Sequence, residues 1–390
     1  MRAAKIIIGS SYGDEGKGLA TAFFARNAVK PCLNIMINGG AQRGHTVDFP
    51  DGRRHVFHHF GSGTFEGAVS CADEEYIVNP LVFVREREEL VRDFGIRPRL
   101  LVSARCRLST PWDMMLGQII EENRGAKRHG SCGMGIQETR LRFLNTDWAL
   151  PWGKAMRITR EDFVVYCRRI AGEYVPQRLG EMKMTAGSEW QDILRDGGII
   201  QSAWDDLCRM REQTEVFADW AETAEKYPYL IFEAGQGLSL DAENRQDFPY
   251  LTPSRTTSLI SAKRVAALPG LTRTEIVYVT RSYLTRHGAG PFPTECGREE
   301  IGENITDRTN VPNPHQQTLR YGLFDRPAVL SRIRADREAT RKVLPEATAA
   351  ALVTHLNETG GELRGNIKVA EFIRHFDRAY LSDSPWDISC

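Results

Sequence analysis

The 390-residue chain has no surplus of charge, since 51 Lys and Arg balance 51 Asp and Glu. A protein that grips nucleic acid by bulk charge needs excess cations to neutralise phosphates. Nucleic acid is therefore not an expected partner, although a local basic pocket for one nucleotide stays open. The sequence also lacks any apolar run near the roughly 18 residues that cross a bilayer, so no membrane partner is expected. The first nine residues hold only three consecutive large aliphatics, Ile6, Ile7 and Ile8, before a Gly/Ser turn. They read as a first strand and not as a signal peptide. No two of the eight cysteines have CxxC spacing. Reduced thiols and a cytoplasmic location are the expectation. Internal repeats and low-complexity linkers are absent, and the polar, Pro-rich stretch near 305–318 is short. Residues 1–390 are thus expected to form a single elaborated α/β domain.

What is present is 41% hydrophobic and 26% charged residues, ordinary for a globular protein. Short aliphatic runs at 5–8, 33–37, 100–103, 229–232, 275–279 and 350–353 are each about a strand long. Their near-continuous apolar character suits strands buried on both faces. Amphipathic stretches lie between them. Trp204, Leu207 and Cys208 form one stripe, and Val369, Phe372, Ile373, Phe376 and Tyr380 fall at helical spacing in another. The expected fold class is α/β, with a large, mostly parallel central sheet flanked by helices.

The strongest local signal is IIIGSSYGDEGKG at 6–18, followed by a helix-prone run. Glycines let backbone N–H groups approach an anion, the helix start adds its dipole, and Lys17 adds a full charge. Together these make a phosphate cradle, though not the GxxxxGK[ST] form, because Gly18 stands where a hydroxyl would be. A glycine-rich turn with a solvated lysine would look similar. Asp14 and Glu15 tilt the balance, because acids inside an anion loop require a cation or proton transfer to explain them.

A second strand runs into NGGAQRGHT at 38–46, which carries His45. A histidine there suits a donor to a transferring phosphoryl group, and equally a hydrogen-bonded loop residue. His55, His58 and His59 alternate with Val56 and Phe57 in strand fashion. They read as structural histidines before metal ligands.

These residues resemble the adenylosuccinate synthetase family. GDEGKG at 13–18 matches its phosphate loop, and GGAQRGHT at 39–46 resembles GGHNAGHT. FEAGQGLSLD at 232–241 resembles FEGAQGTLLD, and FPYLTPS at 248–254 resembles PYVTSS. TRHGAGPFPTE at 285–295 resembles TRVGAGPFPTE. The segments keep the family's order, and the likeness implies an adenylosuccinate-synthetase-like, P-loop-like fold. It also implies a ligase that joins L-aspartate to the 6-position of a purine nucleotide through a 6-phosphoryl intermediate. Asp14 would take the N1 proton and, with the Gly44 carbonyl, hold Mg2+. Lys17 and His45 would stabilise the moving phosphoryl group, and Gln236 would hold the 6-oxygen. Gly13, Glu15, Gly16, Gly18 and Thr46 would complete the donor's phosphate site. Gln42, Ser131, Cys132, Leu251 and Thr252 would hold the purine substrate. An arginine from a homodimer partner would join them, with Arg140 the candidate and Arg142 the alternative.

Departures from the family pattern carry the finer expectations. The guanine-reading KLD becomes Thr354-His355-Leu356-Asn357, and the later STGP becomes Ser382-Asp383-Ser384-Pro385. An amide at Asn357 offers a donor and an acceptor, which suits adenine. Asn357, Ser384 and Pro385 are therefore expected at the base of ATP or dATP, with GTP the alternative. The arginine-rich run before GW is here PHQQTLRYG at 314–322, leaving Arg320 for aspartate and fewer contacts near a ribose 2′-hydroxyl. Ser11 replaces a family Gln and leaves room for a 2-amino group. The combination resembles the phage branch, which uses dGMP and would work in the host cytoplasm. An enzyme acting on IMP, and a catalytically silent nucleotide-binding protein, are the competing readings.

Overall fold

Unbroken apolar strands need cover on both faces, and these strands receive it. The computed structural model describes residues 2–303, 305 and 318–389. Nine strands form the main sheet. Their order is Arg378–Leu381, Thr348–Thr354, Leu271–Arg281, Arg2–Gly9, Tyr229–Gly237, Cys32–Met36, Val69–Ala72, Leu100–Ser103 and Glu215–Phe217. Every neighbouring pair is parallel.

Alternate residues of each strand enter different cores. Ile7, Val277, Val279, Ala350 and Leu352 pack on one face with Ala20, Phe24 and Ala25 of helix Lys17–Arg26. Ile6, Ile8, Ile276, Tyr278, Ala351 and Val353 pack on the other face with helices Trp220–Glu225, Leu259–Ala266 and Arg326–Arg341. A third core joins the sheet to helices Pro80–Phe94, Pro111–Arg124, Arg160–Arg169 and Gly197–Glu212. Leu207 of the expected stripe is fully buried there, with Trp204 packed against it.

The other expected stripe holds from Val369 to Phe376, since Val369, Phe372, Ile373 and Phe376 share one core, and fails at Tyr380. The helix stops at Ile373, and Tyr380 lies in edge strand Arg378–Leu381. Phe372 and Tyr380 are buried in different cores, so the helical spacing that links them is coincidental. The Pro-rich stretch near 305–318 falls mostly outside the described residues.

All-parallel order gathers every loop that follows a strand on one edge, where ligands bind in open α/β sheets. Residues 10–16, 37–44, 238–241, 282–283, 355–357 and 382–385 follow strand ends there, and Gln236 and Gly237 are the last residues of their strand. The small hairpin of His45–Asp48 and Arg54–Phe57 sits beside them, as does an antiparallel sheet of Leu284–Arg286, Arg320–Gly322 and Glu295–Cys296. No helix among the described residues is long and apolar enough to cross a membrane. All seven described cysteines are free thiols.

Candidate active site

The first loop exists because glycine lets it fold back on itself. A Cβ on Gly9 would lie 2.1 Å from Glu15 Oε2 and 2.7 Å from the Gln236 carbonyl. Gly13, Asp14 and Gly16 take positive φ of 101°, 59° and 94°, the kind of backbone that presents N–H groups to an anion. Gly18 is required for another reason. A Cβ there would meet the Thr46 carbonyl at 2.4 Å, so the helix start lies against the His45–Thr46 backbone.

The two acids of the loop have separate surroundings. Glu15 is buried; its Oε1 accepts from the Ser11 N–H at 2.6 Å and its Oε2 meets Lys17 Nζ at 3.1 Å. Its carboxylate braces the loop and offsets the lysine. Its contribution to a donor's phosphates is left to the backbone. Asp14 keeps 24% of its side chain exposed, and its Oδ2 lies 3.1 Å from His287 Nε2. Arg281 Nε donates to the Asp14 carbonyl. Burial pushes the Asp14 pKa up, but His287, Arg281 and Lys17 outweigh it and hold the carboxyl well below its usual range.

His45 is buried, and its Nδ1 lies 2.6 Å from Glu233 Oε1. A carboxylate can only accept, so Nδ1 carries the proton and Nε2 is the nitrogen left for a ligand. Burial and the Arg43 charge outweigh Glu233 and bring the His45 pKa down to about 4. The ring is neutral at pH 7. Donation from Nε2 to a phosphoryl oxygen then needs a proton, which nearby phosphate charge would favour. Lys17 is near enough that its charge lowers the pKa of both Asp14 and His45. Gln236 completes the group. Its φ is 66°, and a Cβ on Gly13 would sit 3.4 Å from its Oε1.

The expected substrate side assembles around the 285–295 segment. Thr285 Oγ1 donates to the Gly13 carbonyl at 3.5 Å. The Ala289 N–H donates to the His129 carbonyl at 3.0 Å. A Cβ on Gly130 would lie 2.8 Å from Gly288 Cα. Ser131 and Cys132 are thereby carried to the side of His287, on a turn whose Gly130 and Ser131 N–H groups donate to Glu121 Oε2 at 2.9 and 3.3 Å. Leu251 and Thr252 follow Tyr250, whose carbonyl accepts from Arg286 at 2.9 Å. Both amide atoms of Gln42 are buried without a protein partner, a costly arrangement unless a ligand completes it.

The arginines separate clearly. Arg142 is fully buried, with two 2.7 Å bonds to Asp113 and one to the Leu108 carbonyl. It is a core residue, unavailable to reach another site. Arg140 is partly exposed and touches Glu75 at 3.4 Å. Arg320 is engaged on two edges, with Glu295 at 2.7 Å and with the Gly288 and Gly290 carbonyls at 3.1 and 3.0 Å. An aspartate carboxylate would have to share it with Glu295. Positions 314–317 of its run lie outside the described residues.

The two segments expected at the donor base are neighbours. The Leu356 N–H donates to the Ser382 carbonyl at 3.1 Å, and Ser382 Oγ donates to the Ser384 carbonyl at 2.7 Å. Asn357 is exposed beside them. Thr354 Oγ1 donates to the Glu15 carbonyl at 2.9 Å, tying this end to the phosphate loop. The histidine run is structural in its contacts. His59 Nε2 accepts from the Asn79 N–H at 2.6 Å, and Glu86 takes the His58 N–H at 3.1 Å and also that of His59. Among the described residues no three His, Cys, Asp or Glu side chains group as metal ligands.

Sequence reasoning missed Glu233, His287, Arg43 and Arg281. The first three stand inside segments already singled out: Glu233 three residues before Gln236, His287 where the family segment has valine, and Arg43 two residues before His45.

The family model for adenylosuccinate synthetase matches residues 6–339. The chain belongs to the adenylosuccinate synthetase family. It is a ligase that forms a carbon–nitrogen bond. The adenylosuccinate synthetase of Mesoplasma florum (strain ATCC 33453 / NBRC 100688 / NCTC 11704 / L1) is 29% identical over 340 residues, covering 84% of this chain and 73% of the relative. A fully ligated adenylosuccinate synthetase from Plasmodium falciparum shares the fold, with TM-score 0.65 and 19% identity over 90% of this chain and 77% of its own. The cyanophage S-2L succinoaminodeoxyadenylate synthetase, solved with dGMP and with dATP as an energy donor, has TM-score 0.60 and 15% identity. That match covers 100% of this chain and 95% of the neighbour.

Proposed function

We propose that this ligase joins L-aspartate to carbon 6 of dGMP, using ATP or dATP, and releases 2-aminodeoxyadenylosuccinate, ADP or dADP, and phosphate. The observation that carries the chemistry is the meeting of Asp14, Lys17, His45 and Gln236 at one edge of the sheet. A purine lactam oxygen is a poor nucleophile while N1 keeps its proton. Asp14 takes that proton as the 6-oxygen attacks the γ-phosphorus and the nucleoside diphosphate leaves. Lys17 and the loop N–H groups hold the charge spread over the transferred group. Gln236 steadies the 6-oxygen through its amide. The aspartate amine then displaces phosphate from carbon 6. Arg320 is the candidate for the aspartate carboxylates, and Arg140 of a homodimer partner is the candidate for the substrate phosphate.

Mg2+, which the family uses, fits the residues present. The part-exposed Asp14 carboxylate and the carbonyl of exposed Gly44 are hard oxygen ligands, and this ion is commonly held by one or two protein oxygens plus phosphates. It would supply neutralising charge to those phosphates.

Asn357 favours adenine over guanine in the donor, because it cannot accept from both N1–H and the 2-amino group of guanine. A donor site that reads adenine keeps a guanine substrate out, which supports dGMP. The IMP reading is supported by the shared active-site segments and by the Mesoplasma relative's name. Turnover with dGMP, GMP and IMP crossed against ATP, dATP and GTP separates them. The expected result is aspartate-dependent phosphate release with dGMP and ATP or dATP. Turnover with IMP but not dGMP would leave the ligase and remove the dGMP reading.

A further inference from the structure

Nothing in the loop itself fixes the orientation of the Asp14 carboxylate. Its backbone is set, with φ of 59° and a carbonyl held by Arg281. The side chain is not enclosed, since 24% of it is exposed. We infer that His287 is the positioning residue for Asp14, an inference that rests on Asp14 being the proton acceptor proposed above. Among the described residues His287 is the one basic side chain that makes an ion pair with this carboxylate, through Nε2 to Oδ2 at 3.1 Å.

The segment that carries His287 is itself well anchored. Arg286 donates to the Pro291, Tyr250 and Ala289 carbonyls at 3.0, 2.9 and 3.1 Å. Arg320 donates to the Gly288 and Gly290 carbonyls. The imidazole is thus delivered from a held loop, which is what a positioning group needs. With Oδ2 fixed, Oδ1 is the oxygen free to face the purine N1–H. A donor on a carboxylate weakens it as a base, so the gain lies in orientation and not in proton affinity. Valine, which the family segment has at this place, could not supply the bond.

The test is steady-state kinetics on full-length His287→Gln, His287→Asn, His287→Val and Asp14→Asn, with thermal midpoints recorded for each. A glutamine amide nitrogen reaches about where Nε2 sits, whereas asparagine falls short. His287→Val and His287→Asn are expected to lower kcat about 10- to 100-fold with the nucleotide KM within about 3-fold. His287→Gln should recover most of the loss. If His287→Val does not fold, His287→Asn against His287→Gln gives the same contrast. Wild-type kcat in His287→Val or His287→Asn, equal losses in Gln and Asn, or a change confined to KM would each overturn the inference. An Asp14→Asn enzyme as active as wild type would instead remove the proton-acceptor reading beneath it.

Discussion

Glu233 and Asp14 each face a histidine at the carboxyl edge of the sheet, at 2.6 and 3.1 Å, but their surroundings are opposite. Glu233 is completely buried and accepts from five donors: His45 Nδ1, Ser62 Oγ and N–H, Asn34 Nδ2 and Arg43. No substrate atom can reach it. Its work is to fix the tautomer and direction of His45. Asp14 stays part-exposed, with one imidazole on one oxygen. An over-determined carboxylate holds a neighbour still, and an under-determined one keeps an oxygen for chemistry.

Breaking the buried pair should give the largest change in stability. Glu233→Ala leaves Arg43 buried without its counter-charge, and removing one partner of such a pair costs about 3–5 kcal/mol. Asp14→Asn, which tolerates the same left-handed backbone, should cost clearly less than Glu233→Ala, because the carboxylate it replaces is part-exposed. Denaturant unfolding of both variants tests the contrast, and equal losses would erase it.

Acid should act on the same side of the comparison. Burial brings the His45 pKa to about 4 and, with it, the His59 pKa to about 3. Between pH 6.5 and 4 the unfolded chain takes up protons that the folded chain refuses. Stability from these neutral histidines is therefore complete above pH 6.5 and is lost as pH falls. The loss is of order 3 kcal/mol for His45 alone. Melting curves from pH 7 to pH 4 should show this fall, with a shallower slope in His45→Gln.

The smallest effect is expected away from both pairs. Asn357→Asp restores a carboxylate that can accept twice from guanine. It should shift the GTP-to-ATP preference by about 10-fold or more, the 1–3 kcal/mol typical of one base contact. Competition between the two donors in turnover measures it.

Much of the sheet was legible because its strands are buried on both faces. The runs at 5–8, 100–103 and 350–353 read as strands for that reason. Val69–Ala72 was not legible, since Ser70 and Cys71 are small and bear little strand signal. Glu215–Phe217 is an exposed edge strand of three residues. Arg378–Leu381 was hidden by spacing that imitates a helix. In the proposed site, Asp14, Lys17 and His45 stood out because glycines and strand ends frame them locally, and Gln236 stood out only through the family resemblance. Glu233 was not, because its partner His45 lies 188 residues away and only the fold joins them. His287 escaped notice for the same reason. Arg140 and Arg142 could not be told apart by spacing; burial against Asp113 separates them.

The most direct measurement is Asp14→Asn assayed for nucleotide binding and for aspartate-dependent phosphate release on the same preparation. Binding within about 5-fold of wild type with kcat lowered about 10²- to 10⁴-fold, the usual range for a lost general base, is the predicted result. Phosphate release at the wild-type rate would contradict the account.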